Sequence, residues 1–148
     1  MNDAEILESI RGLTSYFQDN TSLLTETVNL LHRERPSYNW VGIYLLQGQE
    51  LVLGPYVGKP TPHTRIPLNQ GICGAAASTG ETIVVNDVNS DSRYLACSLE
   101  TRSEIVVPIK RQGEILGEID IDSDQPAAFS PHDHDLLEAV ADLLARYI

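Results

Sequence analysis

The sequence predicts an α+β fold: an antiparallel sheet with N- and C-terminal helices packed on one face. Three features predict it. Apolar residues recur at helical spacing at both ends, the middle of the chain switches to a period of two, and turn-forming residues join successive apolar runs.

Residues 4–17 and 23–31 carry the helical period, and the polar string QDNTS between them acts as a turn or a kink. Two helices or one broken helix follow. After Pro36, NWVGIYLL places Val41, Ile43 and Leu45 on one face and Trp40, Gly42, Tyr44 and Leu46 on the other, and QGQE turns the chain into LVLGPYVG. GKPTPHT, with two prolines, is a loop, and TRIPL suits a short edge strand. QGICGAAAST ahead of Gly80 reads as a short helix of small residues with a glycine stop, and ETIVVNDV as a strand. Nothing is periodic over residues 89–102, a polar loop that holds Cys97. SEIVVPIKRQGEILGEIDIDS gives two strands around a glycine turn. In the last segment Ser130 caps, Pro131 suits the first helical position and Asp133 completes a capping box, ahead of a stripe of Leu136, Leu137, Val140, Leu143, Leu144 and Tyr147.

The 148 residues are expected to form one domain, 1–148, with no internal repeat. There is no apolar run of about 18 residues for a membrane span, and the acidic start MNDAEILESI is unlike a secretory signal, so a cytoplasmic protein is expected. Ten Lys and Arg against 21 Asp and Glu, a net charge of -11, argue against nucleic acid and anionic membranes as partners. Two cysteines, Cys73 and Cys97, are too few for a disulfide scaffold and lack zinc-site spacing.

The stretch GEIDIDS alternates Glu118, Asp120 and Asp122 with Ile119 and Ile121, so all three acids share one strand face. With Arg111, Gln112 and Gly113 as a three-residue hairpin loop, Lys110 faces Glu114 and Glu104 falls opposite Asp120, with Asp122 a diagonal neighbour. Three readings stand. The acids face solvent, as charged residues mostly do; or they hold a hard cation, although no EF-hand spacing or accompanying histidine supports a metal and none is expected; or they receive the ammonium group of a small molecule, with one acid protonated as a hydrogen donor. Cys73 sits at a helix start, which favours a thiolate there, and Cys97 lies near Arg93 and Arg102. Trp40 is either core or the wall of a pocket on the acidic side. His32, His63, His132 and His134 show no ligand spacing and read as surface residues.

Taken together, NWVGIYLL, LVLGPYVGKP, RIPLNQGICGAAA, SEIVVPI and GEIDIDS resemble the free methionine-(R)-sulfoxide reductases, which are stand-alone GAF domains. The likeness runs from about residue 39 to the C-terminal helix. It implies a GAF-like sheet and a reductase of free L-methionine-(R)-sulfoxide. By the same resemblance Cys97 matches the catalytic nucleophile and Cys73 the resolving thiol; Glu104, Asp120 and Asp122 match the substrate-binding acids, and Trp40 the aromatic wall. No bound cofactor or metal is implied. Thioredoxin or a similar dithiol would be the external reductant, and a homodimer is the family's suggestion. Many members carry a third cysteine in the loop before RIP, where this chain has His63, which leaves one internal resolving thiol. The rival readings are a GAF module that binds a small ligand without chemistry, and a thiol redox sensor.

Overall fold

The computed structural model describes residues 1–95 and 99–148. Asn2 caps helix α1 (Asp3–Tyr16) in a capping box with Glu5, and the Asp19 side chain accepts from the Ser22 amide at 2.7 Å to open α2 (Asn20–Glu34). With a new N-cap inside it, the polar string is a true break between two helices.

Strands β1 (Trp40–Gln47) and β2 (Glu50–Val57) form the first hairpin, and β3 (Arg65–Pro67) lies along the β2 edge. Helix α3 (Gly71–Thr79) ends at Gly80, whose φ of 70° is the left-handed stop that glycine favours. After β4 (Ile83–Val85) come β5 (Ser103–Arg111) and β6 (Glu114–Ser123), and then α4 (Pro131–Leu144). The six strands are ordered β3-β2-β1-β6-β5-β4 and every pairing is antiparallel. Both edges are three-residue strands, which limits unpaired backbone at the margins.

Period-two patterning divides the sheet into two apolar layers. Val41 and Ile43, Ile105, Val107 and Ile109, and Ile119 and Ile121 face α1, α2 and α4 in the larger core. The opposite face carries Trp40, Tyr44 and Val106 against Ile72, Cys73, Ala76 and Ala77 of α3. The terminal helices therefore share one face, as the sequence predicts, while α3 closes the other. The capping box of Ser130 and Asp133 and Pro131 start α4 as expected. Its stripe stops at Leu144; Tyr147 lies past the helix end and is 41% exposed. No helix among the described residues is long and apolar enough to cross a membrane.

The β5–β6 hairpin differs from the expected register in two compensating ways. Gln112 and Gly113 take φ of 54° and 81°, a two-residue turn in which both residues are left-handed, so Arg111 rather than Lys110 faces Glu114. A bulge then inserts Leu116, since Lys110 pairs with Ile115 but Ile109 pairs with Gly117. Each departure moves the register by one. Glu104 thus lies opposite Asp122, and Val106 opposite Asp120. A total slip of two keeps every side chain on its own face, so the acids still converge.

Candidate active site

The acids of β6 lie between strands on both sides. Asp122, Asp120 and Glu118 pair with Trp40, Gly42 and Tyr44 of β1, and with Glu104, Val106 and Pro108 of β5. Helix α3 covers this face. Glu118 is fully buried, and Glu104, Asp120 and Asp122 are 4–5% exposed, which overturns the solvated reading of the acidic strand. Among the described residues, no Lys or Arg forms an ion pair with any of the four.

Buried carboxyls without a countercharge keep their protons. Burial pushes Glu104, Glu118 and Asp122 well above the usual carboxylate range, and the neighbouring acid charges add to it. Asp120 is raised by the same burial, but hydrogen bonds from Glu104 and Cys73 and the nearby His63 pull it back. Asp120 is therefore the member best suited to carry a negative charge, with Glu104 as a protonated donor beside it.

The Cys73 thiol donates to Asp120 Oδ2 at 3.3 Å. Its position near the start of α3 suggested an acidic thiol, yet burial, followed by Asp120, Glu118 and Glu104, holds it well above the ordinary range. Desolvation and three facing acids outweigh the helix terminus. Cys73 is a protonated thiol in this state.

Glu118 gives a direct test of this charge state. The unfolded carboxyl titrates near 4.5, whereas the folded one keeps its proton to higher pH. Above 4.5 the folded chain binds more protons than the unfolded one, so the Glu118 contribution to stability falls as pH rises toward its folded value. Thermal melts of the Glu118→Gln protein should show a higher Tm than wild type at about pH 8 and a shallower decline from about pH 5. Parallel melting curves at both pH values would contradict an uncharged, buried Glu118.

Two cavities flank the acid row. The larger, about 330 Å³, opens beside Asp122 and is lined by Trp40, Lys59, Glu100, Thr101 and Asp124 among others. The smaller, about 20 Å³, lies under Cys73, Glu104 and Asp120, with Tyr44, His63 and Leu95 around it. Trp40 is at once core and wall. Its indole lies over Gly42, where a Cβ would stand 2.3 Å from Cη2, stacks on Tyr56 at 5.6 Å, and donates from Nε1 to the Lys59 carbonyl at 3.0 Å. Gly42 is thus the residue that lets an aromatic plate stand next to the acids.

His63 departs from its reading as a surface residue. It is half-buried and lines the Cys73 cavity, and the Tyr44 hydroxyl donates to its carbonyl at 2.7 Å. Cys97 lies outside the described residues.

A family model for the GAF domain matches residues 19–148. The free methionine-R-sulfoxide reductase of Saccharomyces cerevisiae is 46% identical, over 99% of this chain and 87% of that one. The chain belongs to this reductase family of GAF domains. Two solved reductase structures extend the likeness to three dimensions. That of the free methionine-R-sulfoxide reductase from Neisseria meningitidis in complex with its substrate has a TM-score of 0.93 at 36% identity, covering 98% of this chain and 87% of that one. The type II free methionine-R-sulfoxide reductase from Thermoplasma acidophilum has a TM-score of 0.85 at 43% identity, covering 86% of this chain and 91% of that one.

In this member of the reductase family, the fold brings Cys73, Glu104 and Asp120 to one cavity and Trp40 and Asp122 to the neighbouring one. Several lining residues escaped that reading. Tyr44 was visible as a position on the same period-two face as Trp40, whereas Lys59 and Glu100, which form an ion pair across the rim, are 41 residues apart with no spacing to link them.

Proposed function

We propose that this chain reduces free L-methionine-(R)-sulfoxide to methionine with Cys97 as nucleophile and Cys73 as resolving thiol. The observation that carries the reading is the buried acid row, Glu104, Asp120 and Asp122, with Trp40 walling a cavity at one end and the Cys73 thiol 3.3 Å from Asp120 at the other. Supporting it, the yeast relative is named for this activity and the Neisseria structure for its substrate complex. Leu95 and Glu100, on either side of Cys97 in the sequence, line the two cavities that flank the acids.

An amino acid brings an ammonium group that the acid row can receive, with Asp120 charged against it. The Cys97 thiolate attacks the sulfoxide sulfur while a protonated acid of the row gives its proton to the sulfoxide oxygen; the new S–S bond then breaks as that hydroxyl passes to the Cys97 sulfur, releasing methionine and leaving Cys97 as a sulfenic acid. The Cys73 sulfur then attacks the sulfenic sulfur, its proton passing by way of Asp120 to the departing hydroxide as the S–S bond forms and water leaves. Thioredoxin or a similar dithiol reduces the disulfide by exchange. The chemistry uses no bound cofactor or metal, and the working unit is one GAF domain over residues 1–148, in the cytoplasm and free to pair as a homodimer.

The test couples NADPH oxidation, through thioredoxin reductase and thioredoxin, to each epimer of free methionine sulfoxide. Turnover of the R epimer alone is expected. Binding of either epimer without NADPH consumption would favour a ligand-binding GAF module, and oxidation of the thiols by peroxide without sulfoxide turnover a redox sensor.

A further inference from the structure

Four buried carboxyls and a thiol crowd one face of the sheet, and the chain places no Lys or Arg ion pair among them in the described residues. One ligand atom each from Cys73, Glu104 and Asp120 lie within 4.8 Å of one another, and all three residues are buried. A four-coordinate zinc, with Zn–S of about 2.3 Å and Zn–O of about 2.0 Å, holds its ligand atoms about 3.3–3.6 Å apart. The Cys73 Sγ to Asp120 Oδ2 separation of 3.3 Å is within a few tenths of an ångström of the S–O spacing.

A second observation points to a cation. Both oxygens of Glu118, together with Asp120 Oδ1 and Asp122 Oδ1, are buried and meet no hydrogen-bond partner in good geometry among the described residues. Glu118 faces the Cys73 thiol. Orphaned buried acceptors are costly, and a metal ion satisfies several at once. His63 lines the same cavity from the loop before β3 and adds an imidazole to the donors around it.

We propose that Cys73, Glu104 and Asp120 form a site for a thiophilic divalent cation such as Zn²⁺ in the reduced protein, with His63 and Glu118 at its border. Sequence spacing gave no sign of it because the donors come from α3, β5 and β6, which only the fold brings together. Binding replaces the thiol proton, and any carboxyl proton of Glu104 or Asp120, with a metal bond, releasing those protons to solvent without redox change. The cation then occupies Cys73 and the acids, and closes the site until it is chelated.

Cobalt is the probe, because a Co²⁺–thiolate bond gives a near-ultraviolet charge-transfer band. Chelator-treated, fully reduced protein is titrated with Co²⁺ under nitrogen, and Zn²⁺ is then added. The expected result is a band that saturates at one Co²⁺ per chain and disappears on adding Zn²⁺. It should persist in Cys97→Ser, vanish in Cys73→Ser, and require at least about tenfold more metal in Asp120→Asn. Absence of the band in wild-type protein, its survival in Cys73→Ser, or its loss in Cys97→Ser would overturn the proposal. The wild-type titration needs no variant to fold and no turnover, so it stands apart from the reductase reading.

Discussion

Cys97→Ser is expected to abolish turnover of free methionine sulfoxide, while Cys73→Ser should still release about one methionine per active site before stopping. The two thiols would act in sequence. In the proposed scheme only the first meets the sulfoxide, and only the second clears the sulfenic acid. Cys73 suits the second role because it is buried, protonated and hydrogen-bonded to Asp120, an arrangement that restrains it from reacting until a sulfenic acid is presented. Rapid-quench measurement of methionine, with mass spectrometry of the oxidised wild type, checks both halves: a Cys73–Cys97 disulfide is expected, and two free thiols after turnover would refute the scheme.

Asp120→Asn and Glu104→Gln form the second large effect. Each keeps the shape of a buried side chain while removing a titratable group at the proposed substrate position. Losing one hydrogen bond to a charged group costs about 1.5 to 3 kcal/mol, or roughly one to two orders of magnitude in kcat/KM. Stability should hold or rise, because each change removes a carboxyl that burial already disfavours in its charged form. The double variant should lose less than the sum of the single losses, since both groups face one ligand. Steady-state kinetics alongside thermal melts separate the two effects; unchanged kcat/KM in both folded variants would remove the acids from the active site.

Much of this site was legible because strand geometry is strict. Alternation alone put Glu118, Asp120 and Asp122 on one face and Trp40 and Tyr44 on the matching face of β1. The partner of Glu104 was misplaced, since neither the left-handed Gln112 nor the bulge at Leu116 announces itself locally, and only their shared parity kept the acids on one face. Burial was the harder quantity. It comes from α3 lying across the acidic face, packed so closely on the chain before it that a Cβ at Gly74 would stand 3.0 Å from the Pro67 carbonyl oxygen, a packing fact absent from any local pattern. For the same reason the helix start overstates the acidity of Cys73, and His63 reads as a surface residue although the fold sets it in the cavity beside Cys73 and Asp120.

The central claim is that the buried acids read a free amino acid. It is tested most directly by measuring kcat/KM for L-methionine-(R)-sulfoxide and for its N-acetyl derivative under one reductant. The N-acetyl compound presents the same sulfoxide but no ammonium group for Glu104, Asp120 and Asp122, and it should be turned over at least about tenfold less efficiently. Equal efficiency for the two would contradict the assignment of the acid row to the substrate.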